Sequence, residues 1–197
     1  ILRRDLGELR GAPVTDAELN ASIAVYNDNR AAVRELYAYR AAKPWQAPTS
    51  EVYLVLRAGM VLPPEEHTRL VREYIAATDA VPRPMRDNAR IVMNGSFCEQ
   101  PPLGLIKSIE LSGCYIVDDD FMLVTRWLLD DVPVDGKPLE ELSKAFLHRS
   151  ASTAAKYDAR REDKGQYLLR QVKNAAAEGV VFAAPSFCDP ALLERPM

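Results

Sequence analysis

Two short apolar runs in the second half of this chain end in the same phrase, and their placement constrains the fold more than anything else in the sequence. Arg90-Ile91-Val92-Met93-Asn94 and Val180-Val181-Phe182-Ala183-Ala184 each read as a strand. They lead into Ser96-Phe97-Cys98-Glu99 and Ser186-Phe187-Cys188-Asp189, one tetrapeptide with an acid-for-acid exchange. A third apolar run, Cys114-Tyr115-Ile116-Val117, lies between them and ends in Asp118-Asp119-Asp120. Helical patterns fill the gaps: Pro102 to Ser112 before Gly113, a short one from Met122 to Leu129, Pro138 to Arg149, and Asp163 to Glu178 before Gly179. Strands alternating with helices predict an α/β fold, a Rossmann-like parallel sheet with helices on both faces joined by right-handed crossovers. This unit is expected over residues 86–197.

Residues 1–85 read as a mostly helical segment. Thr15-Asp16-Ala17-Glu18 matches a capping box, in which hydroxyl and carboxylate each satisfy an unpaired backbone donor. Leu19, Ile23, Tyr26, Val33 and Tyr37 then recur at helical spacing, on a helix that must end by Pro44. A second helix is expected from Glu51 to Ala58, with Gly59 as its stop. Pro63-Pro64-Glu65-Glu66 opens a third, with His67, Leu70, Val71, Tyr74, Ile75 and Thr78 on one face. Val81-Pro82-Arg83-Pro84 punctuates the boundary. The opening Ile1-Leu2-Arg3-Arg4 is already helical in pattern, and a further helix is set to begin at Asp189-Pro190, so the chain reads as a fragment of a larger protein.

Several function classes are excluded by composition. The 197 residues carry a net charge of −3, and no Lys/Arg stripe offers a nucleic-acid footprint. No apolar run approaches the ~20 residues of a membrane helix, and with no signal peptide a cytoplasmic location is expected. Three widely spaced cysteines do not form a disulfide framework.

The chemistry therefore concentrates on the carboxyl ends of the strands, where open α/β sheets bind ligands. Cys188 precedes Asp189, an N-cap candidate, and the positive end of a helix favours thiolate, the form that ligates metal. Cys98 follows Gly95 and precedes Pro101-Pro102, a comparable turn. A plain buried cysteine is the competing reading for each. Cys114 starts its strand at the amino edge and reads as structural. Two thiols a whole βαβ unit apart cannot fill a tetrahedral zinc site; an iron–sulfur cluster completed by ligands from elsewhere is compatible. Asp118, Asp119 and Asp120 are candidate proton donors, since crowded carboxylates raise one another's pKa, against the plainer reading of a solvated loop and cap. Glu99 and Asp189 are candidate supports for the cysteines. Gly95-Ser96 offers backbone donors but is no phosphate-binding fingerprint. Arg126 and Trp127 are candidates to line a pocket for a planar substrate. His67 and His148 read as helix-face residues.

Asn94-Gly95-Ser96-Phe97-Cys98-Glu99-Gln100-Pro101-Pro102, Gly104-Leu105-Ile106-Lys107 and Gly113-Cys114-Tyr115-Ile116-Val117-Asp118-Asp119-Asp120 closely resemble the small, C-type subunits of ATP-dependent benzoyl-CoA reductases. With Phe187-Cys188-Asp189-Pro190 the chain resembles, more broadly, the 2-hydroxyacyl-CoA dehydratase component D family. The resemblance implies a cytoplasmic heteromer with a sister cluster-bearing subunit and an ATP-hydrolysing activator that delivers a low-potential electron. It implies a 4Fe-4S cluster held through cysteines, with Cys188 and Cys98 as ligands and a further ligand outside this chain. The reaction implied is reduction of the aromatic ring of benzoyl-CoA to a cyclic dienoyl-CoA. Two other readings stay open: a 2-hydroxyacyl-CoA dehydratase subunit, and a non-catalytic Rossmann-like subunit that binds CoA or a partner.

Overall fold

The computed structural model describes residues 1–95, 101–121, 130–148 and 165–189. Four helices come first: α1 (Leu2–Arg10), α2 (Asp16–Ala42), α3 (Thr49–Ala58) and α4 (Pro64–Ala80). The α/β part follows as β1 (Ala89–Asn94), α5 (Leu103–Leu111), β2 (Cys114–Asp119), α6 (Pro138–His148), α7 (Gln166–Asn174) and β3 (Gly179–Phe182).

The capping box at Thr15 is present in full: the Glu18 amide donates to the Thr15 hydroxyl at 3.2 Å, and the Thr15 amide donates to the Glu18 carboxylate at 2.8 Å. α2 runs to Ala42, two residues short of Pro44. α3 starts at Thr49, two residues earlier than the sequence suggested. Gly59 closes it in a right-handed conformation, φ −66°, so its role is not the left-handed stop. It is needed for space, because a Cβ there would stand 2.6 Å from the His67 ring. That imidazole is fully enclosed between Asn29 and the Val55 carbonyl, a core histidine.

The sheet is parallel throughout, in the order β2-β1-β3. Ile91 pairs with Ile116, and a bulge between Ile91 and Val92 sets Val92 opposite Asp118 and Met93 opposite Asp119. β1 is therefore central, and it carries the buried run Ile91 to Asn94. One face packs Ile91, Met93 and Ile116 against Tyr53 of α3 and Ile106 of α5, with Phe121 edge-on to Tyr53 at 5.8 Å between ring centres. The other face meets α2 and α7: the Arg90 guanidinium donates to the carbonyls of Ala41 and Ala175 at the ends of those two helices. The leading helices thus pack directly on the sheet, around their own core of Val33, Leu36, Val52, Leu56 and Val71. α7 ends at Asn174, earlier than the pattern to Glu178 implied, because Ala176 turns into the left-handed region (φ 47°) before β3. The helix expected at 122–129 lies outside the described residues. No described helix is long and apolar enough to cross a membrane.

Candidate functional site: the carboxyl edge of the sheet

β1 and β3 run side by side to the same edge, with Asn94 opposite Phe182, and Ala183 continues the pairing by donating its amide to the Asn94 carbonyl at 2.7 Å. The turn out of β1 uses Gly95 at φ +103°, a conformation side chains rarely adopt. A Cβ there would also press on the Ala184 amide at 3.2 Å, so glycine lets the two exits lie against each other.

Cys188 follows β3 at this edge and is buried, with its amide donating to the Pro185 carbonyl at 3.2 Å. Phe187 beside it takes a positive φ of 64° and is almost fully exposed. Asp189 is exposed. Cys98, Glu99 and Ser96 fall outside the described residues, as do Arg126 and Trp127, although the strand that leads into Cys98 ends next to β3. Cys114 sits at the amino end of β2, remote from this edge, as its position after Gly113 indicated. His148 ends α6 exposed. Among the described residues no three His, Cys, Asp or Glu side chains converge as a metal site. Cys188 is a buried thiol at this edge.

The acidic trio ends β2 at the same edge, and its three carboxylates have separate environments. Asp119 is buried: its Oδ2 lies 2.8 Å from Arg40 Nη1, and its Oδ1 accepts from the Tyr37 hydroxyl at 2.9 Å and the Phe121 amide at 3.0 Å. Gln171 of α7 donates to the Asp119 carbonyl at 2.9 Å. Arg40 is wholly enclosed, with its guanidinium 4.5 Å from the Tyr37 ring centre. Its nitrogens have no aligned hydrogen bond among the described residues, so the contact with Asp119 is an ion pair. Burial works against the Arg40 charge, but Asp119, Tyr37 and Asp118 outweigh it and raise the guanidinium pKa. Burial, and next the Asp119 carboxylate, push the Tyr37 phenol well above its ordinary value. Asp120 is also buried, and its Oδ2 accepts the Gly95 amide at 3.0 Å, which ties the end of β2 to the turn out of β1.

Asp118 differs. A quarter of its side chain is exposed, and it opens on a cleft of about 370 Å³ between α2 and α7. Burial first, and then the neighbouring Asp119 charge, push its carboxyl up to about 6, against the opposing pull of Arg40. Asp118 thus combines access to a cleft with a raised carboxyl pKa, while Asp119 and Asp120 are buried.

Arg40 and Gln171 escaped the sequence reading, and Tyr37 was read there only as part of a helical stripe. The signal was present for one of them: Arg40 continues the apolar stripe of Val33, Leu36 and Tyr37, and a charge in such a stripe must meet a buried partner.

A family model described as 2-hydroxyglutaryl-CoA dehydratase, D-component, matches residues 1–197. The chain is 61% identical over 196 residues to the C-subunit of benzoyl-CoA reductase from Thauera aromatica, covering 100% of this chain and 51% of that protein. It is 29% identical over 198 residues to the beta subunit of lactoyl-CoA dehydratase from Anaerotignum propionicum, covering 100% of this chain and 52% of the relative. Identity is 28% over 194 residues to the beta subunit of (R)-2-hydroxyglutaryl-CoA dehydratase from Acidaminococcus fermentans, covering 97% of this chain and 50% of that protein. The chain spans about half the length of the curated relatives it matches.

Proposed function

The chain belongs to the 2-hydroxyglutaryl-CoA dehydratase D-component family, and from that premise we propose that it forms part of a benzoyl-CoA reductase subunit. The observation that carries the choice within the family is the 61% identity over the whole chain to a benzoyl-CoA reductase subunit, against 29% and 28% to two dehydratase subunits. The reaction proposed is two-electron reduction of the aromatic ring of benzoyl-CoA to a cyclic dienoyl-CoA, in a heteromer with a sister cluster-bearing subunit and an ATP-hydrolysing activator.

In this reading Cys188 and Cys98 are ligands to a 4Fe-4S cluster, with a further ligand outside this chain. Support comes from the adjacency of β1 and β3 and from the burial of Cys188 at their common edge. When bound, the cluster supplies single electrons at low potential. The chain's own residues hold the edge fixed. Asp119 is committed to Arg40, Tyr37 and Phe121, and Asp120 to Gly95. Both carboxylates accept hydrogen bonds that tie the edge together. Asp118 opens on the cleft between α2 and α7, on β2, two strands away from β3.

The test is anaerobic purification of the complex containing the full-length chain, followed by iron and sulfide analysis and by assays with benzoyl-CoA and with 2-hydroxyacyl-CoA thioesters. Iron, sulfide and activator-dependent consumption of benzoyl-CoA are expected. Turnover of a 2-hydroxyacyl-CoA instead would move the chain to the dehydratase branch, and a complex without iron would overturn the cluster reading.

A further inference from the structure

The turn that leaves β3 puts a phenylalanine where a glycine would sit most easily. The Cys188 amide donates back to the Pro185 carbonyl at 3.2 Å, so residues 185–188 form a β-turn. Phe187 holds its third position at φ +64°, a conformation that bulky side chains avoid and that turns normally give to glycine. Its ring is 99% exposed. An exposed apolar side chain on its own is ordinary. Here backbone and solvent disfavour the same side chain, and glycine would remove both costs. Neither stability nor solubility accounts for phenylalanine at this place, which leaves what the ring meets.

The ring stands where the sheet makes room for a ligand. In the order β2-β1-β3 the connection from β1 runs to β2 on one side, while β3 lies on the other, so the strand order reverses between β1 and β3. In open parallel sheets the crevice outside the carboxyl ends at such a reversal takes ligands. The two strand exits are tied together there by the Ala183 amide on the Asn94 carbonyl at 2.7 Å. Phe187 follows shortly after β3, with the Cα of the buried Cys188 about 3.8 Å further along the chain. The flanking sequence is neutral or acidic: residues 91–106 and 174–189 include Glu99, Glu178 and Asp189 and no Lys or Arg. Neither exit carries a cation to receive phosphate, so the apolar end of a ligand is the end that comes here.

We propose that Phe187 is a specificity-determining residue for the acyl group, its ring forming one wall of the site and packing on the flat ring of an aromatic acyl thioester. The assignment rests on the benzoyl-CoA reading above and deepens it. An aromatic acyl group offers a π face, and offset or edge-on packing of two rings adds to the gain from the apolar area they bury. A saturated ring of the same carbon count is puckered and has no π face, so the contact discriminates by flatness. The Pro185–Cys188 bond fixes the direction of the Phe187 Cα–Cβ bond, and part of the ordering that binding requires is complete beforehand.

The experiment titrates benzoyl-CoA, cyclohexanecarbonyl-CoA and coenzyme A into the anaerobic complex containing the full-length chain, by calorimetry, with ATP withheld so that nothing turns over. Phe187→Leu is expected to weaken benzoyl-CoA about three- to tenfold and to leave the other two within about twofold of the wild type. Phe187→Tyr keeps the ring and is expected to bind as the wild type does. Phe187→Gly removes the ring but relaxes the turn, so it is expected to bind benzoyl-CoA no better than Phe187→Leu, at a thermal midpoint no lower than that of the wild type. A loss of affinity at that midpoint does not come from unfolding. Unchanged benzoyl-CoA affinity in Phe187→Leu and Phe187→Gly overturns the assignment, as does an equal loss for all three ligands. A variant chain that leaves the complex also overturns it, and would mark the ring as an anchor for another subunit. Wild-type complex that does not bind benzoyl-CoA would sink the function proposed above, and this assignment with it.

Discussion

Arg40 on α2 and Asp119 at the end of β2 form an ion pair at 2.8 Å in which neither side chain reaches solvent. It joins the leading helices to the edge of the sheet that carries the candidate site. A buried pair of this kind is weak support for stability as a whole but costly to break on one side, since the survivor is left charged and dry. Arg40→Met or Asp119→Asn is expected to lower unfolding free energy by about 3–5 kcal/mol. The double variant should lose clearly less than the sum of the two. Urea unfolding of the four proteins checks this, and simple additivity would show that the two groups do not interact.

Asp118 gives a pH signature of opposite sense to that of an ordinary surface carboxylate. Its pKa rises on folding from 3.8 to about 6, so the folded chain holds this proton more tightly than the unfolded one. The contribution is present below pH 4 and disappears as pH rises from about 4 to 6. Asp118→Asn escapes that loss and keeps an oxygen for the Asp119 amide, which Asp118 Oδ1 now accepts at 2.8 Å. At pH 8 the variant should be the more stable protein by about 2–3 kcal/mol, with the advantage gone at pH 4. Identical stability curves for the two would refute the assignment.

His67 and Gly59 make a second pH-sensitive contact, within the helical core. Burial lowers the His67 pKa below 6.5, opposed by the Val55 carbonyl, so the ring is neutral in the folded protein. Stability from the neutral ring is present above pH 6.5 and is lost as pH falls through the lower folded value. Gly59→Ala would put a methyl group 2.6 Å from the imidazole, which is fixed through both nitrogens. A loss of about 1–3 kcal/mol is expected, read as a lower thermal midpoint at neutral pH.

Gly95→Ala tests the contact between the exits of β1 and β3. Its φ of +103° and the Ala184 amide 3.2 Å from the added Cβ both oppose the change, at a cost of about 1–3 kcal/mol. Gly104→Ala is the matched control, since its Cβ would meet nothing within 4 Å. If Cys98 and Cys188 share a cluster, Gly95→Ala lowers the iron content of the anaerobic complex and Gly104→Ala does not. Equal iron in both would separate this turn from the cluster.

The strands and most helices were legible because their signals are local: apolar runs of strand length, prolines at helix starts, a capping box at Thr15. The parallel sheet followed from the alternation of these elements. The pairing of β3 with β1, which puts the repeated phrases on neighbouring strands, was not legible, since a four-residue strand gives no register of its own. Nor were the individual fates of Asp118, Asp119 and Asp120. Asp119 meets Arg40, Asp120 accepts the Gly95 amide and Asp118 opens on the cleft, while Arg40 also lies 4.0 Å from Asp118. That difference is set by α2 and α7, far away in sequence. Arg34 and Gln171, which line the cleft, are not singled out by any local sequence signal.

The β1–β3 pairing also fixes when the thiol-bearing edge can exist. The Arg90 amide donates to the Glu178 side chain across 88 positions of sequence, the far end of the β3 pairing. Ribosomal synthesis therefore completes β1 and β2 long before β3 emerges, and a contact so distant along the chain closes late. If the proposed cluster is held at this edge, its assembly waits for β3, and a chain stalled short of β3 lacks one of the two neighbouring strand exits.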